Sequence, residues 1–285
     1  MLFSQRMGLK PAGKLAQREA IDEDLRSKIW NVMTLQLWNR WEPQPEAYSM
    51  HDQSVDAKRI DEMLQALWFQ YFKKPLDSQP RFKTSNASSY YDLLRSYVLN
   101  NEWNEVFDLM ESIVRLMHEG WREEFIDFIN DVLKDESSAY RIVVLSVIEI
   151  TDENEISSVK EGVTTGSSSV RSHLKRSLEL LTDRNSPDYR NSIKESISAV
   201  EAICQEITGK TSATLSQCLG SIKEKRNIHP ALEQSLLKLY GFTSDSGGIR
   251  HAMSDADVMP TYSDAKFMLV SCSAVTNYLR TMQTE

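Results

Sequence analysis

The chain has 285 residues, enough for two domains with ordinary hydrophobic cores. Its net charge of −8 is the opposite of what a protein coating duplex DNA carries, so nucleic acid is expected only at a local basic cleft. Hydrophobic residues make up 41% and charged residues 26%, a balance that excludes global disorder.

The amino terminus, Met1-Leu2-Phe3-Ser4-Gln5-Arg6, lacks a basic stretch followed by an apolar one, so no secretory signal is read there. Asp22 is placed to cap a helix carrying Leu25, Ile29, Val32 and Met33 at helical spacing. A second helix is expected through Ala57, Ile60, Leu64, Leu67 and Tyr71, and others over Tyr90–Leu99, Trp103–Met117 and Arg122–Leu133. Trp103, Phe107, Met110, Val114 and Met117 step by four, three, four and three, which predicts one buried stripe. His118, ahead of Gly120, reads as a cation at a helix C-terminus. Trp38-Asn39-Arg40-Trp41 could stack on bases, although buried aromatics are the commoner use of such a run. All six tryptophans lie between Trp30 and Trp121.

Residues 139–151 change character. Tyr140, Ile142, Val143, Val144, Val147, Ile148 and Ile150 favour a short strand or hairpin, and Asp152 then looks like the cap of a new helix. A domain boundary is placed there, giving 1–150 and 151–285. The apolar run Ile142–Ile148 is far below the roughly 20 residues of a membrane span.

The second half reads as a helical bundle. Val170–Leu181 is one helix. The next starts at Ser186-Pro187-Asp188, with Pro187 in its first turn, shows Ile193, Ile197, Val200, Ile203 and Ile207 on one face, and ends at Gly209. Leu215–Lys225 and Pro230–Leu239 follow. The last helix, Tyr262–Met282, turns Ala265, Met268, Leu269, Cys272, Val275 and Leu279 inward. Cys204, Cys218 and Cys272 form no Cys-x-x-Cys pair and read as reduced core thiols in a cytoplasmic protein. The fold class expected is all-α in the main, with a short β element near the junction.

Gly247-Gly248-Ile249-Arg250-His251 is the most unusual local feature. Two glycines permit a sharp turn, and beside them stand a permanent cation and the side chain that titrates near neutrality. His251 and Asp255 are four apart, so on a helix the carboxylate can orient the imidazole. Lys223-Glu224-Lys225-Arg226 and the set Arg171, Lys175 and Arg176 are small basic clusters, read as solvated helix surface. Glycine-rich phosphate loops and histidine pairs at metal-binding spacing are absent from the sequence, so neither a cofactor nor a metal is expected.

Several spaced segments agree in order with one family. Asp188–Ala202, Thr214-Leu215, His229-Pro230-Ala231-Leu232, Leu239–Ser244, Gly248-Ile249-Arg250-His251 and Asp264–Leu269 together resemble the HEPN superfamily. At the other end, Phe3–Leu9 with Leu25-Arg26 and Ile29-Trp30-Asn31 resembles an N-terminal domain of AbiJ-type abortive-infection proteins. The HEPN resemblance implies a helical, commonly dimeric protein, often a metal-independent endoribonuclease in toxin and phage-defence systems. The family motif is Arg, a polar residue beside it and then His, with four to six residues between the Arg and that His. Here Arg250 takes the Arg place and His251 the polar place, while the last place falls on Asp255, Ala256 and Asp257.

The resemblance therefore implies a phage-defence effector with Arg250 at the scissile phosphate, His251 moving the proton and Asp255 orienting it. Glu195, Glu201 and Asp257 would support. Glu195 and Glu201 are six apart on one helix and do not share a line, so they are not read as an acid–base dyad. The partners implied are RNA and a second copy joined through the C-terminal domain, with an antitoxin or phage protein as a further candidate and no membrane. The other reading is an inactive HEPN-like module for dimerisation or sensing, with the tryptophan-rich half contacting a protein.

Overall fold

A computed structural model describes residues 16–41, 55–82, 89–183, 186–211, 214–226, 228–244 and 259–283, together with residues 3 and 7. The chain divides into two compact units, Met1–Thr151 and Asp152–Glu285. Among the described residues there are eleven α-helices and a single two-stranded sheet.

The first unit contains α1 (Glu23–Gln36), α2 (Val55–Gln70), α3 (Tyr90–Asn100), α4 (Trp103–Leu116), α5 (Glu119–Asp135) and the hairpin β1 (Tyr140–Val143) and β2 (Ser146–Glu149). The helix starts are chemically marked. Asp22 accepts from the Leu25 amide at 2.8 Å, and Ser89 accepts from the Asp92 amide at 3.1 Å. His118 is the cap of α5: its Nδ1 accepts from the Gly120 amide at 3.2 Å. It serves the helix that follows rather than the one that ends before it, which corrects its reading as a C-terminal cation. An accepting Nδ1 needs a lone pair there, which the doubly protonated ring lacks.

Large rings fill this core. Trp38 is fully buried, Trp30 and Phe82 lie against it, and Trp68 meets Tyr90 edge-on at 5.2 Å between centroids. The stripe of α4 is buried from Phe107 through Met117, with Trp103 half-buried and stacked on Tyr140.

The hairpin pairs Tyr140 with Glu149 and Val143 with Ser146. Its two-residue turn places Val144 at φ 59°, a left-handed conformation that costs a β-branched residue free energy. Neighbouring side chains hold it in place. Asn130 donates to the Ile142 carbonyl and accepts from the Ile142 amide, both at 2.8 Å, as a third strand would. On β2, the Val147 amide donates to Glu111 at 2.9 Å, and Arg115 Nε reaches the turn carbonyl of Leu145 at 3.2 Å. Free hydrogen-bonding groups of the two strands are thereby covered by α4 and α5.

The second unit contains α6 (Glu153–Thr165), α7 (Ser168–Leu181), α8 (Tyr189–Thr208), α9 (Leu215–Arg226), α10 (Pro230–Ser244) and α11 (Tyr262–Thr281). Helix α8 packs against α7, α9, α10 and α11, and α6 packs against α7 and α11. Asp152 caps α6 through the Asn154 and Glu155 amides, at 2.9 and 3.1 Å. Asp188 caps α8, so Pro187 precedes the cap instead of sitting in the first turn. The physical reason is that the Asp188 carboxylate accepts from the Asn191 amide at 3.0 Å, which fixes where the helix begins. Gly209 ends α8 at φ 70°.

The core here is aliphatic, and small residues make its closest helix contacts. Ser177 on α7 meets Ser192 and Ser196 on α8, with Oγ–Oγ distances of 3.1 and 2.7 Å, and all three are fully buried. A methyl group at Gly162 would come within 2.7 Å of Leu174. On α11, Ser273 and Thr276 are buried with Ala265, Met268, Leu269, Cys272 and Leu279, whereas Val275 is only half-buried. Val275 is thus not a core residue. The polar Thr276 takes the inward place because its hydroxyl donates to the Ser273 carbonyl at 2.8 Å and needs no water.

Candidate functional site

The Gly-Gly-Ile-Arg-His segment lies between α10 and α11 in the chain. Gly247, Gly248, Arg250, His251, Asp255 and Asp257 fall in 245–258, outside the described residues. The two supporting carboxylates, Glu195 and Glu201, are both on α8.

These two carboxylates are not brought together. Glu195 reaches across to α7, where its Oε2 lies 2.7 Å from His173 Nδ1. Glu201 lies near Cys204, whose thiol is pushed up to about 12 by burial first, then by Cys218 and Glu201. Burial likewise raises the Cys272 thiol to about 12, and Cys218 is buried too, so these sulfurs are packing groups rather than nucleophiles.

His173 is the residue near a candidate position that sequence reasoning passed over. An ionised carboxylate only accepts hydrogen bonds, so Glu195 selects the imidazole form with hydrogen on Nδ1. Both side chains are partly exposed. An imidazole held by a carboxylate is an arrangement able to transfer a proton through its other nitrogen. His173 and Glu195 are separated by 22 residues and two helices. No local motif signals such a pair, since it exists only through the α7–α8 seam.

The basic clusters have mostly ordinary uses. Arg176 pairs with Glu179 at 3.0 Å, and Lys223 on α9 pairs with Glu233 on α10 at 2.7 Å. In the first unit Arg40 lies over Trp121 at 5.1 Å, and Trp38 is inaccessible, so Trp38 is not a base-stacking platform. Trp41 donates to Asp61 at 2.8 Å and lines an open groove of about 700 Å3 with Lys58, Gln65, Gln79 and Arg81. The groove mixes both signs of charge and has no converging set of catalytic groups. Asp22, Asp24 and Glu136 bring carboxylate oxygens within 4.8 Å of one another, but Glu136 is paired with Lys28 and Asp22 caps α1. Among the described residues no helix is long and apolar enough to cross a membrane.

The family model AbiJ N-terminal domain 4 matches residues 1–165. That is more than half of the chain, and the protein belongs to this family, which is associated with abortive infection and phage defence. The match covers the whole aromatic unit and continues through α6, the first helix of the second unit. No curated protein and no solved structure matches the chain.

Proposed function

We propose that the protein is an abortive-infection effector whose second unit cleaves RNA without a metal. Family membership over residues 1–165 is the observation that carries the defence role. The chemistry rests on Arg250 and His251 in a sequence that resembles HEPN proteins.

Metal-free RNA cleavage needs a base for the 2′-hydroxyl proton, an acid for the departing 5′-oxygen and positive charge at the phosphate. In this reading the 2′-oxygen attacks phosphorus, the bond to the 5′-oxygen breaks, and a 2′,3′-cyclic phosphate results. One His251 removes the 2′ proton, and His251 of a second copy supplies a proton to the leaving oxygen. Arg250 faces the phosphate charge, Asp255 orients the imidazole, and Asp257, Glu195 and Glu201 act outside the reacting atoms.

The test is cleavage of RNA by the purified full chain in excess chelator. Arg250→Ala and His251→Ala should each slow cleavage by about 100-fold or more. Undiminished cleavage by both variants removes the assigned roles. A second reading, a HEPN-like module that binds a protein partner, is favoured by Asp255-Ala256-Asp257 standing where the motif has its second histidine. It predicts an inert purified protein and a stable complex with an antitoxin or phage protein.

A further inference from the structure

The groove of the first unit has no part in RNA cleavage, yet it is furnished for a ligand. Its volume of about 700 Å3 lies in the roughly 300–1,000 Å3 range of small-molecule sites. One wall is a single stripe of α2, where Lys58, Asp61, Glu62 and Gln65 step by three, one and three. The stretch Leu76–Phe82 makes the other wall and brings Gln79 and Arg81.

The Trp41 ring is fixed from two sides. Its Nε1–H donates to Asp61 at 2.8 Å, and Phe82 meets it edge-on with centroids 5.0 Å apart. Trp38, three residues earlier, is sealed in the core, whereas Trp41 is half-buried and lines the groove. A ring already held still loses little freedom when a flat ligand stacks on it.

The polar groups around that ring are uncommitted. Among the described residues, the side chains of Lys58, Gln65, Gln79 and Arg81 have no hydrogen-bond or ion-pair partner. Nearby cations are engaged: Arg59 pairs with Asp56, and Arg40 with Glu124. Free cations suit an anion, and the guanidinium fork of Arg81 matches a phosphate. A glutamine side chain donates and accepts at once, as the edge of an adenine requires. Glu62, exposed on the same stripe, accepts from amino and hydroxyl groups, both of which adenosine carries. Lys58 and Gln65 are about 10 Å apart along α2, and Asp61, which holds Trp41, lies between them. Cation, stacking ring and amide therefore follow one another in the order phosphate, nucleoside and base edge. A simple anion would leave the ring and the amides unused, and an acidic peptide would leave the ring unused.

We propose that this groove binds an adenine nucleotide unit, with the base on Trp41, its edge at Gln65 and Gln79 and its phosphate at Lys58 and Arg81. Free adenosine monophosphate and a single nucleic-acid strand both present that unit. The site lies in the first unit and its test reads binding, so it and RNA cleavage by the second unit can fail separately.

Calorimetric titration of the full chain with adenosine monophosphate should show one site per chain. Adenosine and ribose 5-phosphate should each bind about tenfold more weakly or worse, since one lacks the phosphate and the other the ring. Lys58→Glu and Arg81→Glu, both at exposed positions, should weaken adenosine monophosphate about tenfold or more and leave adenosine unchanged. Trp41→Leu should weaken both ligands alike. Arg95→Glu, exposed on α3 outside the groove, should change neither. Circular dichroism checks that each variant is folded, and the two charge variants decide the matter should Trp41→Leu unfold. A six-residue deoxyadenylate strand, which lacks the 2′-hydroxyl that cleavage needs, separates the sources. Affinity no better than that of the mononucleotide supports a free nucleotide, and tighter binding that Lys58→Glu also weakens supports a strand. No binding of either ligand, or binding indifferent to both Lys58→Glu and Arg81→Glu, overturns the assignment.

Discussion

The two units of this chain are both helical with aliphatic residues in their cores, yet they differ in what else fills the space between helices. The first fills the space between helices with rings: Trp30, Trp38, Trp68, Phe82 and Tyr90 sit in or against one core. The second has an aliphatic core, with Leu174, Leu178, Ile193, Ile197 and Met268 in it, and brings helices close where small residues meet: Ser177 with Ser192 and Ser196, and Gly162 against Leu174. A ring core draws its stability from area removed from water, and a small-residue seam from close backbone approach and satisfied hydroxyls. The two should therefore fail in opposite directions, the first when atoms are removed and the second when atoms are added.

Removing Trp38 should produce the largest loss. Trp38→Ala is expected to destabilise the first unit by about 3–5 kcal/mol, measured by urea titration followed by tryptophan fluorescence. That signal reports the first unit alone, because all six tryptophans lie in it. Trp38→Phe should cost less, since it keeps a ring and removes a buried Nε1–H with no acceptor. Adding atoms should be the costly change in the second unit. Ser196→Leu is expected to cost about 1–3 kcal/mol, read by circular dichroism with little early change in fluorescence. Equal tolerance of both changes would erase the contrast between the units.

A smaller effect sharpens the account of the second unit. Gly209→Ala has open space around the added methyl and meets only the backbone penalty at φ 70°, roughly 1–2 kcal/mol. The smallest effect concerns Asp264. Hydrogen bonds from the Thr261 amide and hydroxyl hold its carboxyl below the usual carboxylate range. A carboxyl lowered on folding adds stability above its unfolded pKa and loses it as pH falls through the folded value. Asp264→Asn should therefore lower the melting temperature slightly at pH 7, and the difference from wild type should shrink on acidification.

The parts of this fold visible in the sequence are those built from local chemistry. Asp22, Asp152 and Gly209 mark helix ends because a cap or a left-handed residue acts within one turn, and the α4 stripe is visible because burial repeats at the helical period. What apolar periodicity overlooks is polar burial. Val275 looks like a core residue by type, but Ser273 and Thr276 hold the inward places through short-range hydrogen bonding. Glu111 and Arg141 are buried at the hairpin for the same reason: backbone groups there supply their partners. For the candidate site, the Arg250-His251 motif is legible as a motif, while the pairing of His173 with Glu195 arises only when α7 and α8 are side by side.

The central claim is that this defence protein acts on RNA through His251. Inducing the full chain in a bacterial host and resolving total RNA tests it directly. The account predicts growth arrest with fragmented RNA, and intact RNA with normal growth for His251→Ala at equal protein level. Intact RNA under the wild-type protein, or identical fragments under the variant, would contradict it.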